Sequence, residues 1–146
     1  NMNNSNDVKS TTNELKVLVI VLTIFLGLTG LIDVGFGLGL QFSPELFAEE
    51  FNVDYVSELK GLISVFGISI LIWGSLTLLS AKWVWEKKIE GTILGIFSGL
   101  KLFFASIATF IYTGSVSNII FDGARGVIII ILAVVLYKKI DLKKGD

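Results

Sequence analysis

GTILGIFSGLKLFFASIATFIYT, residues Gly91–Thr113, decides the fold. The stretch is apolar and long enough to cross a bilayer, which takes about 20 predominantly apolar residues. It carries one charge, Lys101, near its middle. A charge at that depth is costly and faces protein or a water-filled cavity, so its surroundings are the first place to look for a site.

Three further stretches read the same way: Leu15–Leu40, Glu58–Ala81 and Asn118–Tyr137. The chain has 146 residues, 53% hydrophobic and 17% charged. Its mean hydropathy is +0.77, outside the range of soluble globular domains. The expected fold is all-α: a four-transmembrane-helix bundle filling one membrane domain, residues 14–139, with spans of about 15–40, 58–81, 91–113 and 118–137. A disordered polar tail is expected over 1–13 and a basic tail over 140–146. The first span is too long for a signal-peptide core and lacks an A-x-A cleavage site, so it reads as a retained helix. Its glycine run, Gly35 to Gly39, does not fit the phosphate-binding spacing, because position 40 is Leu.

Between the first two spans, Ser43-Pro44-Glu45 has the features of a helix start: a hydroxyl cap, Pro at the first helical position, then an acid. Leu46, Phe47 and Phe51 interleave with Glu45, Glu49 and Glu50, which predicts a short amphipathic interfacial helix within Gln41–Ser57. The connector Lys82–Glu90 places Lys82, Lys87 and Lys88 beside Trp83 and Trp85. Basic residues next to Trp, and Tyr137 before the terminal lysines, read as membrane-interface anchors. Gln41–Ser57 and Gly114–Ser117 contain no Lys or Arg, whereas the connector and both tails do. The positive-inside rule then predicts a multi-pass cell-membrane protein with both termini in the cytoplasm.

At about 100° per residue, small and polar side chains occupy one face of each helix. Thr29, Gly30, Asp33 and Gly37 share a side of the first, and Lys60, Ser64, Gly67, Gly74 and Ser75 a side of the second. The third carries Gly91, Gly95, Ser98, Gly99 and Ser106, with Lys101 at the border. Asn118, Asp122 and Arg125 lie together on the fourth. The repeat Gly91-xxx-Gly95-xxx-Gly99 predicts close helix packing, within the chain or between subunits.

Counting about 1.5 Å per residue puts Lys101 near the midplane, with Arg125, Asp33 and Asp122 toward the outer side and Lys60 at the outer boundary. The inner half reads as plain Leu, Ile and Val. A central Lys or Arg costs about 2.5–3.5 kcal/mol on the insertion scale, so these charges need partners. Asp122 and Arg125, three apart on one helix, can pair locally, which leaves Asp33 as the natural partner of Lys101. The five residues Asp33, Lys60, Lys101, Asp122 and Arg125 are the candidate polar pocket or set of buried ion pairs.

There are no Cys and no His, which removes thiolate and imidazole chemistry. No metal site, cofactor or catalytic residue is expected. A net charge of −1 gives no basic field for nucleic acid. The expected partner is the lipid bilayer, with a homo-oligomer or a larger membrane complex as an alternative. The first reading of function is a non-enzymatic accessory or structural subunit. The alternatives are a binding or transport protein for a small polar or amphiphilic solute entering from the outer side, and a membrane-embedded enzyme acting on lipid.

GLGLQFSPELF (residues 37–47), ELKGLISVFG (58–67) and FDGARG (121–126), in a short four-helix chain, resemble the DoxX-like four-helix membrane proteins. The resemblance implies the four-helix fold. Some members of that group are similar to subunits of membrane redox or stress-response assemblies. No catalytic residue carries over, and the missing Cys and His set this chain apart from any redox-centre role.

Overall fold

The computed structural model describes residues 3–45, 59–114 and 116–142. It is an all-α bundle: α1 (Asn3–Phe42), α2 (Leu59–Trp85), α3 (Ile89–Thr113) and α4 (Ala124–Leu142). A helical turn at Val116–Asn118 and a π-helical turn at Ile119–Gly123 lead into α4. Among the described residues, four helices are long and apolar enough to cross a membrane, and α3 has the lowest mean hydropathy, 1.8 against 2.2–2.6 for the others. The deficit of α3 is that of a helix carrying Lys101 beside a row of Gly and Ser.

Several boundaries differ from the sequence reading. The tail expected to be disordered over 1–13 is helical from Asn3. That stretch holds no Pro or Gly, and a helix once nucleated propagates without a second nucleation cost. The expected interfacial helix lies outside the described residues from 46 to 58. Its start is visible: Ser43 breaks the helix, and Pro44 and Glu45 resume it. The fourth span starts at Ile119, close to its expected start, and runs on to Asp141, with α4 helical to Leu142.

The connector expected over Lys82–Glu90 contracts to Glu86–Lys88, because nothing in the last turn of α2 breaks a helix. Its stop is a Schellman motif. Lys88 N–H donates to Trp83 C=O at 2.8 Å, and Lys87 N–H to Val84 C=O at 2.9 Å. Lys87 takes the left-handed position (φ 57°), where glycine is usual, so no glycine announced the turn in the sequence. Gly114 ends α3 in the ordinary way, with φ 69° and its N–H on Phe110 C=O at 2.8 Å.

The helices form an antiparallel ring in which α1 packs on α2, α2 on α3, α3 on α4 and α4 on α1. α1 and α3 are therefore diagonal. Apolar surface gains little by leaving lipid, so packing and interhelical hydrogen bonds set these contacts. Glycines mark the close approaches between helices. A Cβ on Gly99 would stand 2.7 Å from the Gly126 carbonyl oxygen, and one on Gly126 would meet the Gly99 oxygen at the same distance. On α1, a Cβ on Gly30 or Gly37 would stand 2.9 or 2.8 Å from the carbonyl oxygen of Gly74 or Gly67 of α2. The close packing read from Gly91, Gly95 and Gly99 thus lies within the chain at Gly91 and Gly99. Gly95 is different: its Cβ would find Ser80, Leu26 and Ala133 at 3.4–3.6 Å, ordinary contact in the middle of the bundle.

The main core fills the half holding the termini and the α2–α3 turn. Leu22 and Leu26 of α1, Ala81 and Val84 of α2, Leu102 of α3 and Ile129, Ala133 and Leu136 of α4 form it. Toward the opposite end, Leu40, Ile63 and Ile70 make a second cluster between α1 and α2 alone. The bulky faces (Ile93, Phe97, Phe104 and Ile111 on α3) are exposed, as a lipid-facing surface requires.

Candidate functional site: the buried ion pairs

Asp33 projects from the α1 face that also carries Gly30 and Gly37, so it faces the bundle. It fits because its neighbour on α2 is Gly74, whose Cβ would come 3.0 Å from the Asp33 Cβ. Lys101 sits at the middle of α3 and reaches across the diagonal. Its Nζ donates to Asp33 Oδ2 at 2.6 Å, with side-chain exposures of 21% and 11%. The long flexible stem of lysine makes this possible, since the two backbones are not neighbours. The pair ties together the two helices that the ring otherwise leaves apart.

Asp122 and Arg125 form the second pair. Arg125 Nη2 donates to Asp122 Oδ1 at 2.7 Å, and Asp122 remains 43% exposed. Asp122 lies in the π-helical turn, which is seated by Gly123 against Ser106 of α3. Single π-helical turns are rare and lie frequently at functional sites. Arg125 Nε is buried without an acceptor.

The five candidate residues do not converge on one pocket. Two pairs form as the spacing indicated, each closed on itself, and Lys60 is exposed with no ion pair among the described residues. Among the described residues no group of three or more Asp and Glu side chains comes together.

Other polar contacts join the helices. Gln41 Nε2 donates to Ser64 C=O at 2.7 Å, and Ser64 Oγ donates back to Gln41 Oε1 at 2.8 Å. The signal was present at Ser64, on the polar face of α2, but Gln41 read as a loop residue. Ser80 Oγ donates to Gly91 C=O at 2.7 Å, and the Thr77 and Ser98 hydroxyls lie 3.0 Å apart. The half expected to be plain Leu, Ile and Val therefore holds buried Thr77, Ser80 and Thr92. Small hydroxyls escaped notice because they satisfy themselves on backbone carbonyls: Thr77 bonds Trp73, and Thr92 bonds Ile89. Thr29, one turn before Asp33, is 1% exposed and its hydroxyl has no partner.

The anchor residues lie at the end of the bundle that holds the termini. Trp85 is 61% exposed, while Trp83 and Tyr137 are half-buried. In the α2–α3 turn, Lys88 pairs with Glu86 at 2.6 Å. The hydrogen bond from Lys88 is the main reason the Glu86 carboxyl lies below its usual range. Desolvation opposes it, and the charges of Lys88 and then Lys82 add to it.

No protein-family model, no curated protein and no solved structure matches the chain.

Proposed function

We propose that this multi-pass membrane protein is a non-enzymatic accessory or structural subunit, a small bundle of the DoxX-like type whose buried charges fix how its helices assemble. The observation that carries this reading is the closure of Asp33 on Lys101 across the bundle at 2.6 Å, with Asp122 engaged locally by Arg125 at 2.7 Å. A carboxylate engaged in this way is a poor general base, and a pocket would need those side chains to face a common void. The distribution of Lys and Arg supports an orientation with both termini and the α2–α3 turn in the cytoplasm.

One observation favours a second reading, a binding protein for a small polar solute. The Thr29 hydroxyl is buried and unpartnered one helical turn from Asp33, where a buried polar group ordinarily finds a bond. Native mass spectrometry of protein released from lipid nanodiscs separates the two. The structural reading predicts the chain, alone or as a defined oligomer, with lipid adducts only. A non-lipid solute retained by the native chain and lost from a T29V variant would overturn it in favour of binding.

A further inference from the structure

The α2–α3 turn borders an open groove of about 520 Å³ lined by Trp83, Lys87, Lys88, Ile89 and Glu90. Trp83 and Ile89 give it an apolar wall, and Lys87 is exposed at its edge. The charges around it are unequal. Lys88 is engaged by Glu86 at 2.6 Å, and Glu90 is the remaining acid of the lining. Lys87 has no ion pair among the described residues, and Lys82 stands exposed in the last turn of α2. Two membrane-length helices end here, which sets the groove at the level where headgroups begin.

Lys87 is also in an unusual place. The Schellman motif uses only backbone hydrogen bonds and asks for a residue that tolerates positive φ, so glycine would close it with less strain. A residue held in a sparsely populated region without need for its side chain in the turn invites a functional reason for that side chain. Its ammonium, without an ion pair among the described residues, lines the groove beside the apolar wall.

We infer that this groove binds an anionic phospholipid, with the lipid phosphate against Lys87 and an acyl chain along Trp83 and Ile89. The inference does not depend on the role proposed above, because both readings place the turn at the membrane surface. One basic residue near an anionic surface contributes enough for about a fivefold change in affinity.

The test is native mass spectrometry of the full chain from nanodiscs of mixed phosphatidylglycerol and phosphatidylcholine. The native chain should retain phosphatidylglycerol over phosphatidylcholine, and Lys87→Gly should weaken that retention about fivefold while its thermal midpoint holds or rises. Lys87→Asn, which also tolerates positive φ, should behave alike. Lys138→Gln, an exposed lysine at the same end, should retain the lipid as the native chain does. Unchanged retention in both Lys87 variants would overturn the proposal, as would an equal loss in Lys138→Gln, which marks a diffuse basic rim. Complete displacement by millimolar inorganic phosphate would also overturn it, since a free anion would then be the occupant.

Discussion

Lys101→Met alone and Asp33→Leu alone will each destabilise the bundle, and the double variant will recover most of the loss. Removing one partner of a buried pair leaves an uncompensated charge, which costs about 3–5 kcal/mol in a closed interior. The exposure of Lys101, 21% of its side chain, moderates this, because a lone lysine can turn its stem toward the bilayer surface. About 2–3 kcal/mol is expected for Asp33→Leu on that ground. Lys101→Met should cost more, about 3–4 kcal/mol, because Asp33 is short, more buried and set against Gly74. Leucine branches at the same carbon as aspartate, so the double variant fills the site with apolar groups and should fall within about 1 kcal/mol of the native chain. Reversible unfolding in bicelles over the four-member cycle gives the coupling. Additive losses would show that the two side chains do not depend on each other.

The second large effect separates glycines that look equivalent in sequence. Gly99→Ala places a methyl group 2.7 Å from both the Gly126 carbonyl oxygen and Ile130 Cγ1, and the backbone oxygen cannot swing aside as a side chain could. α3 and α4 must move apart, at a cost of about 2–3 kcal/mol, and Gly99→Val should exceed 3 kcal/mol, roughly the top of the overpacking range. Gly95→Ala meets its neighbours at 3.4–3.6 Å and removes a flexible residue from mid-helix, so it should be neutral or stabilising by up to about 1 kcal/mol. The same unfolding assay in bicelles decides it, with equal losses at the two positions as the contrary result.

That contrast marks where sequence reading stops. Four spans, their order and the end of α3 at Gly114 follow from hydropathy and one glycine. Both ion pairs follow from charge economy: Asp122 and Arg125 are one turn apart, and a lone Lys101 had one carboxylate left to meet. Helix rotation is legible as well, since the sequence puts Gly30, Gly37, Gly67 and Gly74 on the polar faces of their helices. The axial register is not. It decides that Gly99 touches Gly126 and that Gly95 faces side chains which leave it room, whereas Lys60 ends up exposed in keeping with its expected place at the outer boundary. Face maps assign angle, and only the packed bundle assigns which level meets which. The α2–α3 turn lies inside the expected connector Lys82–Glu90, but its narrower bounds were not legible for a local reason: Lys87 occupies the position that a glycine usually announces.

Magic-angle-spinning NMR of the protein in bilayers tests the central claim most directly, through the dipolar coupling between Lys101 ¹⁵Nζ and Asp33 ¹³Cγ. A closed, charge-assisted hydrogen bond predicts a separation of about 3–4 Å and an ammonium slow to exchange with water. A separation beyond about 6 Å, with the ammonium in rapid exchange, would contradict it and return these charges to an open, hydrated site.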